Sequence, residues 1–351
     1  MNSDFPGRFR QALGSGVMLV DAPGARDTVL TFARSVVAGL RDQPKRLHCR
    51  FLYDAEGSRL FEAITQQPEY YPTRTEAAIL AKHAEDIRAL TGPRTLVELG
   101  SGYSVKTEHL LNAFADDDGA LLYVPVDVSD TALRAASRTI SENFADVQFT
   151  GIKGTYGSAL PILRQLSPQL VVFLGSTIGN FNQAEMTAFW RNVAGHLPTG
   201  DFFLLGVDLV KDVGVLEAAY NDAAGITARF TKNYLARMNR ELGSEIDLDW
   251  VEHVATWNSE SERIEISLRF TAGQRIHVRP LSEEIDVEAG EQILIEISRK
   301  FRLPQLSEEL ATHGFEVAQT FTDEKEWFAL LLLQRMDDAI LPRAPLPPPG
   351  L

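Results

Sequence analysis

The residues best placed to do chemistry sit where apolar runs end in carboxylates and glycines. In Thr95-Leu-Val-Glu-Leu-Gly-Ser-Gly102 an apolar run closes on an acidic residue and two glycines, and a helix-like segment follows at once. Glycine lets a backbone pass a ligand without a Cβ clash, so Gly100 to Gly102 reads as a nucleotide-site turn at the carboxyl edge of a sheet. An ordinary tight strand-to-helix turn uses the same residues, and the glycine pair alone leaves both readings open. Asp127, closing the next apolar run, favours the ligand site, because a carboxylate there can accept two hydrogen bonds from ribose hydroxyls. A dinucleotide would want a third glycine where Val105 stands, to let the helix approach a pyrophosphate. S-adenosylmethionine has no pyrophosphate. Lys106, in the same turn, reads as the partner of that cofactor's carboxylate or as a solvated lysine at a helix start.

A second set of residues suits a small zwitterion. Asn180 can donate two hydrogen bonds to a carboxylate and Tyr220 one more; otherwise Asn180, after Gly179, is a turn residue. Glu296 and Ser298 stand two apart in an apparent strand, so their side chains share one face, either around a common ligand or toward solvent. Tyr53 suits an amine-orienting hydroxyl or a buried core tyrosine. The seven histidines lie far apart, and adjacent His48 and Cys49 make a poor chelate, so no metal is expected.

The elements that must position these groups follow from periodicity. Apolar runs at 95–99, 121–126, 147–152, 170–174 and 202–207 alternate with helical spacing at 106–114, 131–144 and 183–197, the pattern of a parallel α/β sheet. Asn182 with Glu185 reads as a capping box, and Thr73 with Glu76 opens a helix in the same way. Residues 209–301 break the pattern, beginning helical and turning to alternating strands such as 263–270, as an insertion would. A helix near 307–312 and strands at 315–321 and 327–333 then complete seven strands. Residues 1–21 and the proline-rich tail 338–351 read as mobile segments.

Composition narrows the class. A chain of 351 residues with 44% hydrophobic content can bury one large core and a smaller second one. No apolar run approaches the length of a membrane span, no signal-peptide core opens the chain, and one cysteine cannot build disulfides, so a soluble protein of the cytoplasm is expected. The net charge of −14 repels phosphate backbones and no basic run offsets it, so the expected partner is a small molecule and not nucleic acid or membrane. A monomer is the working expectation.

These residues resemble a known family, the histidine-specific Nα-methyltransferases of ergothioneine biosynthesis, which form trimethylhistidine (hercynine). The resemblance runs from about Arg50 to Arg335. It rests on Tyr53-Asp-Ala-Glu-Gly-Ser58, Pro68-Glu-Tyr-Tyr-Pro-Thr-Arg74, Val97-Glu-Leu-Gly-Ser-Gly102, Tyr123-Val-Pro-Val-Asp-Val-Ser129, Leu174-Gly-Ser-Thr-Ile-Gly-Asn-Phe181, Gly206-Val-Asp-Leu-Val-Lys-Asp212 and Gly290-Glu-Gln-Ile-Leu-Ile-Glu-Ile-Ser-Arg-Lys-Phe301. It implies an α/β fold: a seven-stranded Rossmann-like methyltransferase core (75–209 and 301–337) with a smaller α+β substrate domain (22–74 and 210–300). It implies an S-adenosylmethionine-dependent enzyme in which Gly100, Lys106 and Asp127 hold the cofactor. Asn180 and Tyr220 would hold the substrate carboxylate, Tyr53 and Tyr70 would line the amine and ring with Tyr53 orienting the amine, and Glu296 and Ser298 would grip the imidazole. Two departures stand out. Many bacterial relatives carry Gly-Asp-Phe after the third strand, whereas this chain has Gly154-Thr-Tyr156, as fungal members do; Thr155 then offers a hydroxyl or backbone contact and Tyr156 a stacking face for adenine. Ile266 stands where relatives often have methionine. The competing readings are a methyltransferase of another amino acid, such as tryptophan or a derivative, and a noncatalytic cofactor-binding regulator.

Overall fold

The computed structural model describes residues 18–21, 28–102, 104, 106–115 and 121–337. Val105 and the tail 338–351 lie outside them, as does most of the segment 1–21. The strands are β1 (Met18–Asp21), β2 (Thr95–Leu99), β3 (Leu121–Asp127), β4 (Val147–Lys153), β5 (Gln169–Phe173), β6 (Phe202–Asp208), β7 (Val251–Asn258), β8 (Arg263–Phe270), β9 (Gln274–Val278), β10 (Glu283–Val287), β11 (Gln292–Arg299), β12 (Phe315–Thr322) and β13 (Phe328–Arg335). The helices are α1 (Val29–Arg41), α2 (Ala55–Thr65), α3 (Tyr71–Thr91), α4 (Glu108–Phe114), α5 (Asp130–Asn143), α6 (Tyr156–Leu163), α7 (Gln183–His196), α8 (Val213–Ala218), α9 (Ile226–Leu242) and α10 (Leu303–Thr312).

The main sheet has the order β1-β4-β3-β2-β5-β6-β13-β12. From β1 to β6 every pairing is parallel, and β13 runs antiparallel to both its neighbours. β5 and β6 are buried at every position, as expected of parallel strands covered on both faces, and this is why they read as unbroken apolar runs. One core packs α6, α7 and α10 on one face; another packs α3, α4 and α5 on the other. The seven strands foreseen from periodicity are all present. An eighth, β1, pairs with β4 where the reading of 1–21 has loosely held chain, so that reading is corrected for 18–21: four residues extend the sheet edge through backbone hydrogen bonds that need no sequence pattern.

A third core gathers α1, α2, the start of α3, α9 and the smaller sheets β11-β8-β7 and β10-β9. The insertion leaves and re-enters the main sheet at one place. Leu209 bridges Phe301, Phe301 donates its N–H to the Asp208 carbonyl at 2.9 Å, and Val210 donates to Phe301 at 3.1 Å. This closure brings β11 beside the loop that follows β5.

Local signals were partly misleading. The Asn182–Glu185 capping box forms in both directions. Thr73 and Glu76 do not cap, because α3 already starts at Tyr71 with Pro72 in its first turn, and Glu76 is fully buried instead. Helix α6 was not foreseen, since Pro161 inside it argues against a helix. No helix among the described residues is long and apolar enough to cross a membrane.

Candidate active site

Strand order reverses between β2 and β5: the chain winds outward through β3 and β4, then returns to β5 on the other side of β2. Ligands of doubly wound sheets bind in the crevice at such a point, outside the carboxyl ends of the strands. Gly100 and Gly102 follow β2 there with φ of 72° and 52°, a left-handed conformation that glycine adopts without a Cβ penalty. A Cβ at Gly100 would also lie 2.8 Å from the Tyr156 hydroxyl, so Tyr156 closes directly over the turn. Tyr156 packs edge-on against Phe173 at 5.2 Å, leaving it half-buried at the start of α6, with exposed Thr155 just ahead of that helix.

Asp127 ends β3 and accepts the Gly102 N–H and the Ser129 N–H, both at 2.8 Å. Burial raises its carboxyl above the usual range, against the pull of those amides. Each carboxylate oxygen has a second lone pair, so two acceptors remain for ribose hydroxyls. The turn and this carboxylate thus fit the nucleoside of S-adenosylmethionine. Beneath the turn, Glu98 accepts from Thr107 at 2.7 Å and from Tyr123, while burial pushes its carboxyl up to about 7.

Lys106 has a protein partner: its ammonium pairs with Glu76, whose two carboxylate oxygens also accept the Gly175 N–H at 2.8 and 2.9 Å. Glu76 therefore joins α3, the glycine turn after β2 and the turn after β5. Sequence reasoning missed this function; a lone carboxylate on the apolar face of a helix was the available signal.

The other foreseen residues converge beside this crevice. Asn180 ends the short 3-10 turn Thr177–Asn180 after β5, and its Nδ2 donates to Glu296 Oε1 at 3.1 Å. Gly179 permits the approach, since a Cβ there would meet the Arg299 carbonyl at 2.9 Å. Glu296 and Ser298 lie on β11 just past a register shift, where a bulge re-aims the strand, and Ile266 pairs directly with Glu296 across it. Burial pushes the Glu296 carboxyl up to about 7, against the nearby Lys300 and the Asn180 hydrogen bond. Tyr220 Oη lies 2.7 Å from Ser298 Oγ. Each residue assigned to the carboxylate is thus hydrogen-bonded to one assigned to the imidazole, in two pairs that meet on β11.

Tyr53 and Tyr70 complete the aromatic wall. Tyr53 stands edge-on to Phe61 and Phe230, both at 5.6 Å, and Tyr70 edge-on to Tyr220 at 6.1 Å. Burial raises both phenols well above their ordinary value, with the Glu296 charge adding to the effect, so both are neutral hydroxyls at physiological pH. Sequence reasoning also missed the ion network behind the cluster. Lys300, 3% exposed, pairs with Asp208 at 2.8 Å, and Asp208 in turn accepts from Tyr71 and pairs with Lys211.

Comparison with known proteins points to the same chemistry. The chain is 46% identical over 302 residues to the histidine N-alpha-methyltransferase of Mycolicibacterium smegmatis, covering 86% of this chain and 94% of that protein. It is 31% identical to ergothioneine biosynthesis protein 1 of Neurospora crassa, covering 86% of this chain and 35% of that protein. Identity to the 4-dimethylallyltryptophan N-methyltransferase of Claviceps purpurea is 27%, covering 82% and 90%. A family model described as histidine-specific and SAM-dependent matches residues 32–335, so the chain belongs to the histidine-specific, S-adenosylmethionine-dependent methyltransferase family.

Proposed function

We infer that this protein transfers methyl groups from S-adenosylmethionine to the α-amine of free histidine, in successive steps that end at trimethylhistidine, as in ergothioneine biosynthesis. The observation that carries the reading is the cluster of Asn180, Glu296, Tyr220 and Ser298 beside the switch-point crevice. When bound, the cofactor supplies an electrophilic methyl group on a sulfonium, so no nucleophilic side chain is needed.

The protein's own residues then align a neutral amine and exclude water. We assign Gly100 and Asp127 to the nucleoside, Lys106 to the cofactor's carboxylate, and Thr155 and Tyr156 to the adenine end. Asn180 and Tyr220 take the substrate carboxylate, and Glu296 with Ser298 the imidazole. Tyr70 lines the ring. Tyr53 orients the amine: as a neutral phenol it accepts an amine N–H through a lone pair, and the proton that must leave before each transfer passes by way of its hydroxyl to water. Because the contact is a single hydroxyl, it can be given up as N–H groups are replaced by methyls, which successive transfer requires.

Binding to the unsubstituted protein tests the reading. Calorimetry with S-adenosylhomocysteine present should rank histidine above tryptophan, and histidinamide, whose carboxylate is neutralised, about tenfold or more below histidine, the loss of one charge-assisted hydrogen bond. Equal affinities for histidine and histidinamide would remove the carboxylate clamp.

A further inference from the structure

Behind the substrate cluster, three acceptors surround the buried ammonium of Lys300. They are Asp208 Oδ2 at 2.8 Å, Tyr220 Oη at 2.9 Å and Ser298 Oγ at 2.8 Å. An ammonium has N–H donors and no lone pair, so both hydroxyl oxygens must accept from it. Tyr220 Oη and Ser298 Oγ also bond to each other, one donating and the other accepting.

The count of hydrogens and lone pairs then limits what this hydroxyl pair can offer. Two hydroxyls carry two hydrogens and four lone pairs. Their mutual bond uses one of each, leaving one hydrogen and three lone pairs. Lys300 occupies two of those lone pairs and places a positive charge behind both oxygens. What remains is one O–H and one lone pair, beside a cation that repels any incoming N–H.

We propose that Lys300, held by Asp208, is a positioning residue that commits the Tyr220–Ser298 pair to donating its free hydrogen to an acceptor atom of the substrate. That atom is a carboxylate oxygen where Tyr220 keeps the free hydrogen, or an unprotonated ring nitrogen where Ser298 keeps it, so only one of the two contacts assigned above to these hydroxyls is a donated hydrogen bond. On the same strand, Glu296 presents the opposite polarity, an acceptor for a ring N–H. A neutral imidazole carries one N–H and one bare nitrogen, and an amino acid adds the carboxylate. The proposal rests on the histidine reading and adds the group that sets the polarity of its site. A lysine serving only to neutralise Asp208 and tie β11 to β6 would stabilise the fold without ranking ligands.

Lys300→Met, similar in length and unable to donate, separates the two roles. Calorimetry with S-adenosylhomocysteine present would compare histidine, histidinol, which lacks the carboxylate, and 3-(pyrrol-2-yl)alanine, which lacks the bare ring nitrogen. The expected result is a fall of about tenfold or more for histidine, the scale of one charge-assisted hydrogen bond. One analogue, the one without the acceptor that the pair meets, should fall by less than about threefold, since it has no such bond to lose. Which analogue is spared identifies the acceptor. Cofactor affinity should not change. Lys300→Gln, which keeps a donor for Asp208, gives the same reading should methionine prevent folding. An equal fall for all three ligands, or no fall for any, overturns the proposal. Failure of the histidine reading would appear in the unsubstituted protein, as no histidine binding, whereas failure here appears only in the ratios between chains.

Discussion

Asp127→Ala should weaken S-adenosylmethionine binding by about a hundredfold or more. The carboxylate closes β3 at the switch point and holds the glycine turn through the Gly102 N–H at 2.8 Å, so the substitution acts twice. It removes the acceptors assigned to the ribose hydroxyls, where a hydrogen bond to a charged group contributes about 1.5 to 3 kcal/mol. It also releases a backbone that glycine makes intrinsically free at φ of 52°. Asp127→Asn keeps the shape and one acceptor oxygen, and should fall between the two. Calorimetric titration of the cofactor is the check; unchanged affinity in Asp127→Ala would take this residue out of the site.

Glu296→Ala should cost about 1.5 to 3 kcal/mol of histidine binding, roughly ten- to a hundredfold or more in affinity, with cofactor affinity intact. The effect should depend on pH. Burial sets the carboxyl at about 7, so it is the accepting carboxylate above that value and increasingly the protonated acid below it. Histidine affinity should therefore fall as pH drops through about 7. In Glu296→Gln that limb should vanish, leaving only the ligand's own imidazole, which protonates near about 6.5. Titrations at several pH values would show both. Wild-type affinity in Glu296→Ala would return the residue to an ordinary strand position.

Much of this site was legible because its parts lie in short words whose chemistry is local. The glycine turn after β2 and Asp127 at the end of β3 need only turn geometry and strand ends to be read; alternation puts Glu296 and Ser298 on one strand face, but only the family resemblance points that face at a ligand. What stayed hidden depends on tertiary contact. Glu76 fits the spacing of a capping box, yet α3 begins earlier and turns that carboxylate inward to Lys106 and Gly175. Lys300 and Asp208 meet only because the insertion closes on itself through Leu209 and Phe301. A lysine after an apolar strand gives no sign that it will be buried. The grouping of Asn180 with Glu296, and Tyr220 with Ser298, was equally out of reach, since strand periodicity says nothing about which loop will face which strand.

Turnover bears most directly on the central claim. The protein would be incubated with methyl-labelled S-adenosylmethionine in excess and a panel of free amino acids that includes histidine and tryptophan, with product inhibition relieved, and read by time-resolved mass spectrometry. Histidine should gain one, two and then three labelled methyl groups, with the trimethylated form accumulating and tryptophan unlabelled. Label appearing on another amino acid while histidine stays unmodified would contradict the histidine assignment, and a reaction that halts at monomethylhistidine would contradict successive transfer.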